Sequence, residues 1–597
     1  MREMRTAETI LAVIQDRGKR GLPLERIYRL LFNRELYLRA YARLYPNKGA
    51  MTKGSTDETV DGMSLEKIDQ LIASIQQELY RWTPVRRTYI PKTNGKQRPL
   101  GIPSWSDKLL QEVMRSILEA YFEPQFSEHS HGFRPNRGCH SAMSEIQTWK
   151  GTRWFIEGDI ARYFETINHD VLLAILGEHI HDGRFLRLLR ELLEAGYLEE
   201  WKFEKTISGT PQGGVISPIL SNIYLNRLDK WVETVLIPEF TKGKRQKPNP
   251  IYRQVSRQLY TMRKRGDTRQ IKTLIKQRRR LPSVNTRDPG YRRLRYVRYA
   301  DDFLLSFTGP KVETKEIKQK LKDWLLDNLK LDLSEEKTLI THASTTAARF
   351  LGYDIKAQRV DDYIDPTGRR GVNGVIGLYV PAEVIEARCA KYLKKGRTKS
   401  RPELLKDSDF TIIATYQQEY RGIVQYYLPA TNVAWFSKLH WIMQGSLLKT
   451  LAAKHHSSMR KMQRKYAATT VEPRTGKTLK CLEVRLEREG KRTLVARWGG
   501  ISLARQTHVV IEDQPYQVYG GRTELLKRLM ADECELCGSR DRVEVHHIHK
   551  LTDLNKPGRK EKPQWAQMMA TRHRKTLVVC RSCHEAIHQG KPTGNRS

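Results

Sequence analysis

Apolar positions recur at helical spacing from Ile10 to Ile14 and from Leu65 to Leu79, which predicts a helical N-terminal segment ending near residue 80. Between these stretches, Asn47-Lys48-Gly49-Ala50 and Lys53-Gly54-Ser55-Thr56 read as an exposed basic loop. Two short apolar runs flank Asn94-Gly95, a pair that predicts a hairpin, and its arms carry Lys92, Lys96 and Arg98. Residues 108–124 follow as an amphipathic helix, and Trp154 to Ile160 as a strand ending in an acid. Residues 294–307 place β-branched and aromatic positions on both sides of Tyr299-Ala300-Asp301-Asp302, predicting a strand, a tight turn and a second strand. Residues 376–470 are helical, basic and aromatic; the stripe through Tyr416 and Tyr420 to Tyr427 is expected to be mostly core. Residues 471–525 are basic and partly β.

At 597 residues the chain has room for several domains. A formal charge of +39 argues for a polyanionic partner, nucleic acid before membrane. The charge is concentrated: Thr241 to Arg298 holds roughly twenty Lys and Arg against two acids, a block expected to bind nucleic acid or stay extended. No apolar run approaches the roughly 20 residues of a membrane span, and Met1-Arg2-Glu3-Met4-Arg5 lacks the apolar core of a secretory signal. Seven cysteines include two Cys-x-x-Cys pairs, which points to metal binding in a reducing cytoplasm rather than to a disulfide framework.

Two adjacent carboxylates at a hairpin tip repel unless a positive charge sits on them, and hard oxygen ligands suit Mg²⁺. Asp159, at the end of the other acidic strand, offers a third. Asp159, Asp301 and Asp302 together could clamp two metals for in-line phosphoryl transfer, one activating a 3′-hydroxyl and one holding a triphosphate leaving group. A solvated Asp-Asp turn is the plain alternative. Near the C-terminus, Cys534, Cys537, Cys580 and Cys583 form the two knuckles of a Cys₄ zinc site, with a redox pair as the alternative. His584 and His588, four apart, share a helix face and could bind one metal.

Tyr299-Ala300-Asp301-Asp302 resembles the Tyr-x-Asp-Asp signature of reverse transcriptases, and its neighbours sharpen the likeness to group II intron-encoded proteins. Tyr89 to Pro103 is similar to the family's fingers hairpin, which implies that Lys92 and Arg98 grip the triphosphate. Gly132-Phe133-Arg134-Pro135 resembles a template-side motif, with Arg134 and Arg137 as phosphate contacts. Phe164, five residues after Asp159, matches the aromatic that lies under the sugar as a deoxynucleotide gate; a core aromatic is the other reading. Thr210-Pro211-Gln212-Gly213 matches the family's Pro-Gln-Gly motif and gives Gln212 a nucleotide- and template-positioning role. Leu333 to Thr338 and Phe350-Leu351-Gly352-Tyr353 resemble the last palm motifs, which puts Lys337 near the active site. The basic block before the acids is similar to the family's insertion, and residues 376–470 resemble its thumb-like maturase domain.

Val545-His546-His547-Ile548 and Cys583-His584-Glu585-Ala586-Ile587-His588 resemble an HNH (ββα-metal) endonuclease in a zinc frame. The resemblance makes His547 the general base and puts His546, His584 and His588 on the metal. The pattern departs at its middle Asn: Thr576 stands there, Asn555 lies in a loop, and the orientation of His547 is left open. A zinc ribbon that only binds DNA is the alternative.

The resemblance implies a multidomain α+β chain. Residues 1–80 would be an N-terminal extension and the start of the fingers, 81–365 right-hand fingers and palm, and 366–470 an α-helical thumb or maturase domain. Residues 471–525 would bind DNA and 526–597 would form a small zinc-framed ββα nuclease. The implied partners are intron RNA, target DNA and deoxynucleoside triphosphates, with Mg²⁺ at polymerase and nuclease, structural Zn²⁺, no membrane, and a bacterial cytoplasm with action at the nucleoid. The implied activity is splicing support, reverse transcription and second-strand nicking in target-primed DNA synthesis. A non-intron reverse transcriptase of retron or defence type with an appended nuclease, and a non-catalytic splicing cofactor, are the rival readings.

Overall fold

A computed structural model describes every residue except 1–5, 48, 92–94, 96, 200–201, 205–213, 286–287, 361–372, 489–490, 508–523, 555–561, 573 and 592–597. The acid-bearing hairpin lies inside a five-stranded sheet. Arg293–Tyr299 and Asp302–Thr308 pair antiparallel up to Tyr299↔Asp302, which leaves a two-residue turn, Ala300-Asp301. Trp154–Gly158 pairs antiparallel with the second strand of the hairpin, and Leu339–His342 pairs beyond it. Ser130–His131 adds in parallel on the other edge. Successive residues therefore face opposite cores. Ile156, Phe303 and Leu305 enter one that includes the helices Trp105–Phe122, Ser217–Trp231 and Lys311–Leu329. Phe155, Val297 and Leu304 enter a second, shared with the helices Asp409–Tyr426 and Phe436–Lys454.

The fingers strands Val85–Pro91 and Gln97–Ile102 form the predicted hairpin, with Gly95 at φ +77° in its turn. The helix expected over 108–124 runs from Trp105 to Phe122, capped by Ser104 accepting from the Asp107 amide at 3.2 Å. It is buried almost all round rather than on one face, because N-terminal helices pack against the side that faces away from the sheet. The basic block is not extended. It folds as the helices Pro250–Arg265 and Thr268–Arg280, joined at Gly266, and the second has no buried residue. In the thumb, Tyr416, Tyr420 and Tyr427 are core, as expected, whereas Trp435 and Trp441 are exposed. After residue 466 come three antiparallel strands, Ala467–Val471, Thr478–Arg488 and Lys491–Gly499. They pack onto the thumb through Trp498, which stacks on His440 at 5.4 Å.

The C-terminal strands Val543–His547 and Thr576–Cys580 form a sheet whose third strand, Met63–Ser64, comes from the N-terminal segment. Val543, Val545 and Val578 accordingly join the large N-terminal core, while Leu577 and Val579 face a small core of their own around the cysteines. Among the described residues, no helix is long and apolar enough to cross a membrane.

Candidate active sites

The turn that presents Asp301 and Asp302 is braced from beneath. Ala300 has φ +54°, a left-handed conformation that costs a non-glycine residue about 1–2 kcal/mol. Arg298, fully buried, donates from Nη1 to the Ala300 carbonyl at 2.7 Å. Its remaining donors go to both oxygens of buried Asp229 (2.8 and 2.6 Å), Ser130 Oγ (2.7 Å) and Asn222 Oδ1 (3.2 Å). Tyr296 also donates to Asp229, at 2.8 Å. Gly132 closes the brace: its φ is +80°, a Cβ there would lie 2.8 Å from the Ala300 amide nitrogen, and its carbonyl accepts from Asn222 at 3.1 Å. Arg298 was counted in the basic block expected to meet nucleic acid. It is a buried ion-paired strut instead.

Asp159 follows Trp154–Gly158, where Gly158 is required because the Phe303 ring fills the space of a Cβ. The Asp159 carbonyl accepts from the Ser334 amide at 2.9 Å, which ties the Lys337 turn to the acid. Lys337 Nζ lies 2.9 Å from Asp159 Oδ2. Asp302 is pushed up to about 7, first by burial and then by repulsion from Asp301 and Asp159. Asp301 is raised by burial and by Asp159, and the positive charge of Arg98, from the fingers hairpin, counteracts both shifts. Two half-buried acids forced toward protonation by burial and by neighbouring carboxylates are a donor set that a hard divalent cation relieves.

The sign of the resulting pH dependence follows from Asp302. Its folded value near 7 exceeds the unfolded value of about 3.9. Stability at this group is therefore lost as pH rises between about 4 and about 7, and a bound cation restores it. Mg²⁺ is expected to raise the melting temperature more at about pH 8 than at about pH 6, and Asp302→Asn to erase that difference. Thermal unfolding with and without Mg²⁺ checks this; an increment independent of pH would contradict it.

Arg98 is exposed on its strand, whereas Phe164 is half-buried, edge-on to Tyr163 at 5.2 Å and packed against the large core. Lys92 and Gln212 lie outside the described residues. Arg134 contradicts its expected phosphate role. It is buried, bonded to Glu123 (3.0 Å) and to the carbonyls of Ser127 and Ser130 (2.6 and 2.7 Å), and so holds the loop. Arg137 is engaged with Glu128.

In the C-terminal module the four cysteines converge across the knuckles: Cys537 Sγ lies 3.6 Å from Cys580 Sγ and 3.7 Å from Cys583 Sγ. Tetrahedral thiolates about 2.3 Å from zinc have edges of about 3.8 Å, so the frame fits zinc better than separate redox pairs. His546, His584 and His588 also converge, and the fourth member of their group is Asp61, from the N-terminal segment. His584 Nε2 is 3.1 Å from His546 Nδ1, 3.1 Å from His588 Nε2 and 3.2 Å from Asp61 Oδ1. Asp61 Oδ2 is 2.9 Å from His588 Nε2. A tetrahedral ion with nitrogen and oxygen ligands at about 2.0–2.1 Å needs edges of about 3.3 Å. Glu544 Oε1, 3.2 Å from His584 Nδ1, orients that imidazole as a carboxylate behind a metal ligand does. Three imidazoles and a carboxylate form a donor set for a divalent ion, and imidazole is a ligand that borderline transition ions favour.

His547 points away from this cage. Its Nε2 lies 3.0 Å from the Tyr41 hydroxyl, its amide donates to Asp61 Oδ1 at 2.7 Å, and burial pushes its imidazole down to about 3, leaving it neutral. Thr576 pairs opposite His547 and accepts from Arg528 at 3.0 Å. Asp61, Tyr41 and Asp229 carry no role that the sequence alone reveals. Asp61 sits within Thr59-Val60-Asp61-Gly62-Met63, and nothing local links it to His584, 523 residues further along the chain.

Three family models match the chain: reverse transcriptase (RNA-dependent DNA polymerase) over residues 90–355, type II intron maturase over 379–491, and AI2M/AI1M-like HNH endonuclease over 534–584. The group II intron-encoded protein LtrA of Lactococcus lactis subsp. cremoris is 38% identical over 590 residues, covering 95% of this chain and 96% of its own. An uncharacterized 91 kDa protein in the cob intron of Schizosaccharomyces pombe is 34% identical, covering 99% of this chain and 74% of its own. The putative COX1/OXI3 intron 1 protein of Saccharomyces cerevisiae is 32% identical, covering 94% and 69%. With a reverse transcriptase, a maturase and an HNH endonuclease in one polypeptide, this chain belongs to the group II intron-encoded proteins.

Proposed function

We propose that the two carboxylate- and histidine-built centres act in sequence on one DNA target, and the braced turn carrying Asp301 and Asp302 opposite Asp159 is the observation that carries this reading. Asp159, Asp301 and Asp302 hold Mg²⁺ at the polymerase. When bound, Mg²⁺ supplies the charge that lowers the pKa of a primer 3′-hydroxyl and neutralises the departing pyrophosphate. Lys337 offsets the charge of Asp159 and keeps that strand end in place. Arg98, with Lys92, meets the triphosphate from the fingers, Gln212 positions nucleotide and template, and Phe164 lies under the sugar and rejects a 2′-hydroxyl. In the nuclease, neutral His547 takes the proton of the attacking water. His546, His584 and His588 hold a divalent ion, which supplies a Lewis acid for the scissile phosphate. The four cysteines hold structural Zn²⁺.

The partner in this reading is the chain's own intron RNA, bound as a ribonucleoprotein by the thumb and the basic helices after residue 250. The nicked second strand then primes copying of the inserted RNA. Residues 1–80 precede a polymerase of residues 81–365, a maturase domain of 366–470, a DNA-binding region of 471–525 and a nuclease of 526–597. The work takes place in the cytoplasm at the nucleoid.

Sequencing the RNA that stays on the purified protein at moderate salt tests the partner: one dominant intron containing this reading frame is expected. A short structured RNA from outside any intron, or a mixture without a dominant species, would favour the non-intron polymerase. His547→Ala is expected to lower second-strand nicking at least about a hundredfold while primer extension on a free template is unchanged. A labelled target duplex resolves the two strands, and persistent nicking would remove His547 from the chemistry.

A further inference from the structure

The nuclease cage has four protein donors, and one of them does not belong to the nuclease. A catalytic metal site keeps a position open for water or substrate, whereas a site with every position filled by protein is a structural one. Asp61 fills the fourth corner here, 2.9 Å from His588 Nε2 and 3.2 Å from His584 Nε2. Its side chain is only 14% exposed. The same carboxylate accepts from the His547 amide at 2.7 Å, and Tyr41, from the same N-terminal segment, engages His547 Nε2 at 3.0 Å. Rings of Tyr41 and Tyr45 cover that imidazole, with centroids 6.3 and 6.2 Å away. The Met63–Ser64 strand, two residues after Asp61, pairs with the strand that ends in His546 and His547.

We propose that Asp61 is a built-in plug of the nuclease: its carboxylate stands where an anionic phosphate oxygen of the target strand must bind, and Tyr41 occupies the base. The docked arrangement is the closed state. Nicking requires the N-terminal segment to withdraw, which couples the nuclease to the part of the chain that leads into the polymerase fingers. A carboxylate suits this task because it matches a phosphodiester in charge and hardness but is not cleaved. Withdrawal of the segment breaks the two-residue strand, the turn at Gly62 (φ +75°) and the burial of Val60 and Met63 in the core they share with Val543, Val545 and Val578, so the closed state is the resting one. The inference rests on reading His546, His584 and His588 as the nuclease's metal side.

The test uses the full-length ribonucleoprotein with its zinc in place, titrated with Ni²⁺ as the probe ion. In Asp61→Ala, Ni²⁺ is expected to bind about tenfold more weakly, yet second-strand nicking at saturating Ni²⁺ is expected to be about tenfold faster. Tyr41→Phe, which keeps the ring, is expected to raise nicking about threefold. A permanent catalytic ligand would instead lose affinity and nicking together, and an incidental neighbour would change neither; both results overturn the plug. Hydrogen exchange in the wild type gives an independent reading. The Gly62 amide, which donates to the Val545 carbonyl at 3.0 Å, and the His547 amide are expected to be protected without target DNA and to lose protection when it binds. Nicking with both amides still protected would overturn it as well. His584→Ala separates the two levels: if it spares Ni²⁺ binding and nicking, the nuclease assignment itself falls. If it abolishes both while Asp61→Ala fails to raise nicking, only the plug falls.

Discussion

Asp159→Ala is expected to reduce DNA synthesis by at least about a thousandfold, through loss of several kcal/mol of charge stabilisation in the transition state. Intron RNA binding should be unchanged. Asp159 ends an interior strand whose register is set by the Phe303 and Ile156 packing around it, and its carboxylate is engaged by a lysine that is itself 68% exposed. Little of the fold therefore hangs on that side chain. Primer extension on a generic template, alongside a filter-binding curve for the intron RNA, separates chemistry from assembly. Asp159→Asn should behave almost as badly, because the amide keeps the shape and loses the charge. A variant that synthesises DNA within about tenfold of the wild type would show that Asp301 and Asp302 suffice.

Asp229→Ala is expected to cost about 3–5 kcal/mol of palm stability, because it leaves the Arg298 guanidinium buried without its counter-ion. Both side chains are fully buried, 2.6 Å apart. Burial opposes the charge on Arg298, and Asp229 reverses that and holds it charged. The loss should appear as an earlier denaturant midpoint and as DNA synthesis that fails before the chain unfolds, since Arg298 also fixes the Ala300 carbonyl. Replacing both partners with apolar residues of similar volume separates these effects. Asp229→Leu with Arg298→Met should recover most of the stability but not the synthesis, because Ala300 would still lack its donor. Recovery of both would reduce the pair to a packing element.

The acids of the polymerase were legible because β-branched and aromatic residues on both sides of Tyr299-Ala300-Asp301-Asp302 predict a hairpin, and a hairpin fixes where its tip residues sit. The cysteine frame and the His584–His588 pair were legible for the same kind of reason: short fixed spacings determine geometry. Arg134 and Arg298 were misread because sequence shows a cation but not its depth. The carboxylates that neutralise them, Glu123 and Asp229, lie on helices that reach them only in the fold. Asp61 and Tyr41 were silent for a stronger reason: a helical N-terminal segment predicts its own core, not that its edge will serve as a strand for a sheet at the far end of the chain. The basic block was expected to bind nucleic acid or stay extended, yet it folds into two helices, the first burying Val255 and Leu259, four apart, on one face.

The measurement that reaches the central claim most directly is rescue by a pre-nicked target. Ribonucleoprotein carrying His547→Ala is given its DNA duplex either intact or with the second strand already cut at the insertion site. The two-centre account predicts no cDNA on the intact duplex and full-length cDNA from the pre-nicked one, while Asp159→Ala nicks the intact duplex and extends neither. Extension of intact DNA by the His547 variant, or failure of the nick to restore it, would contradict the division of labour between the two sites.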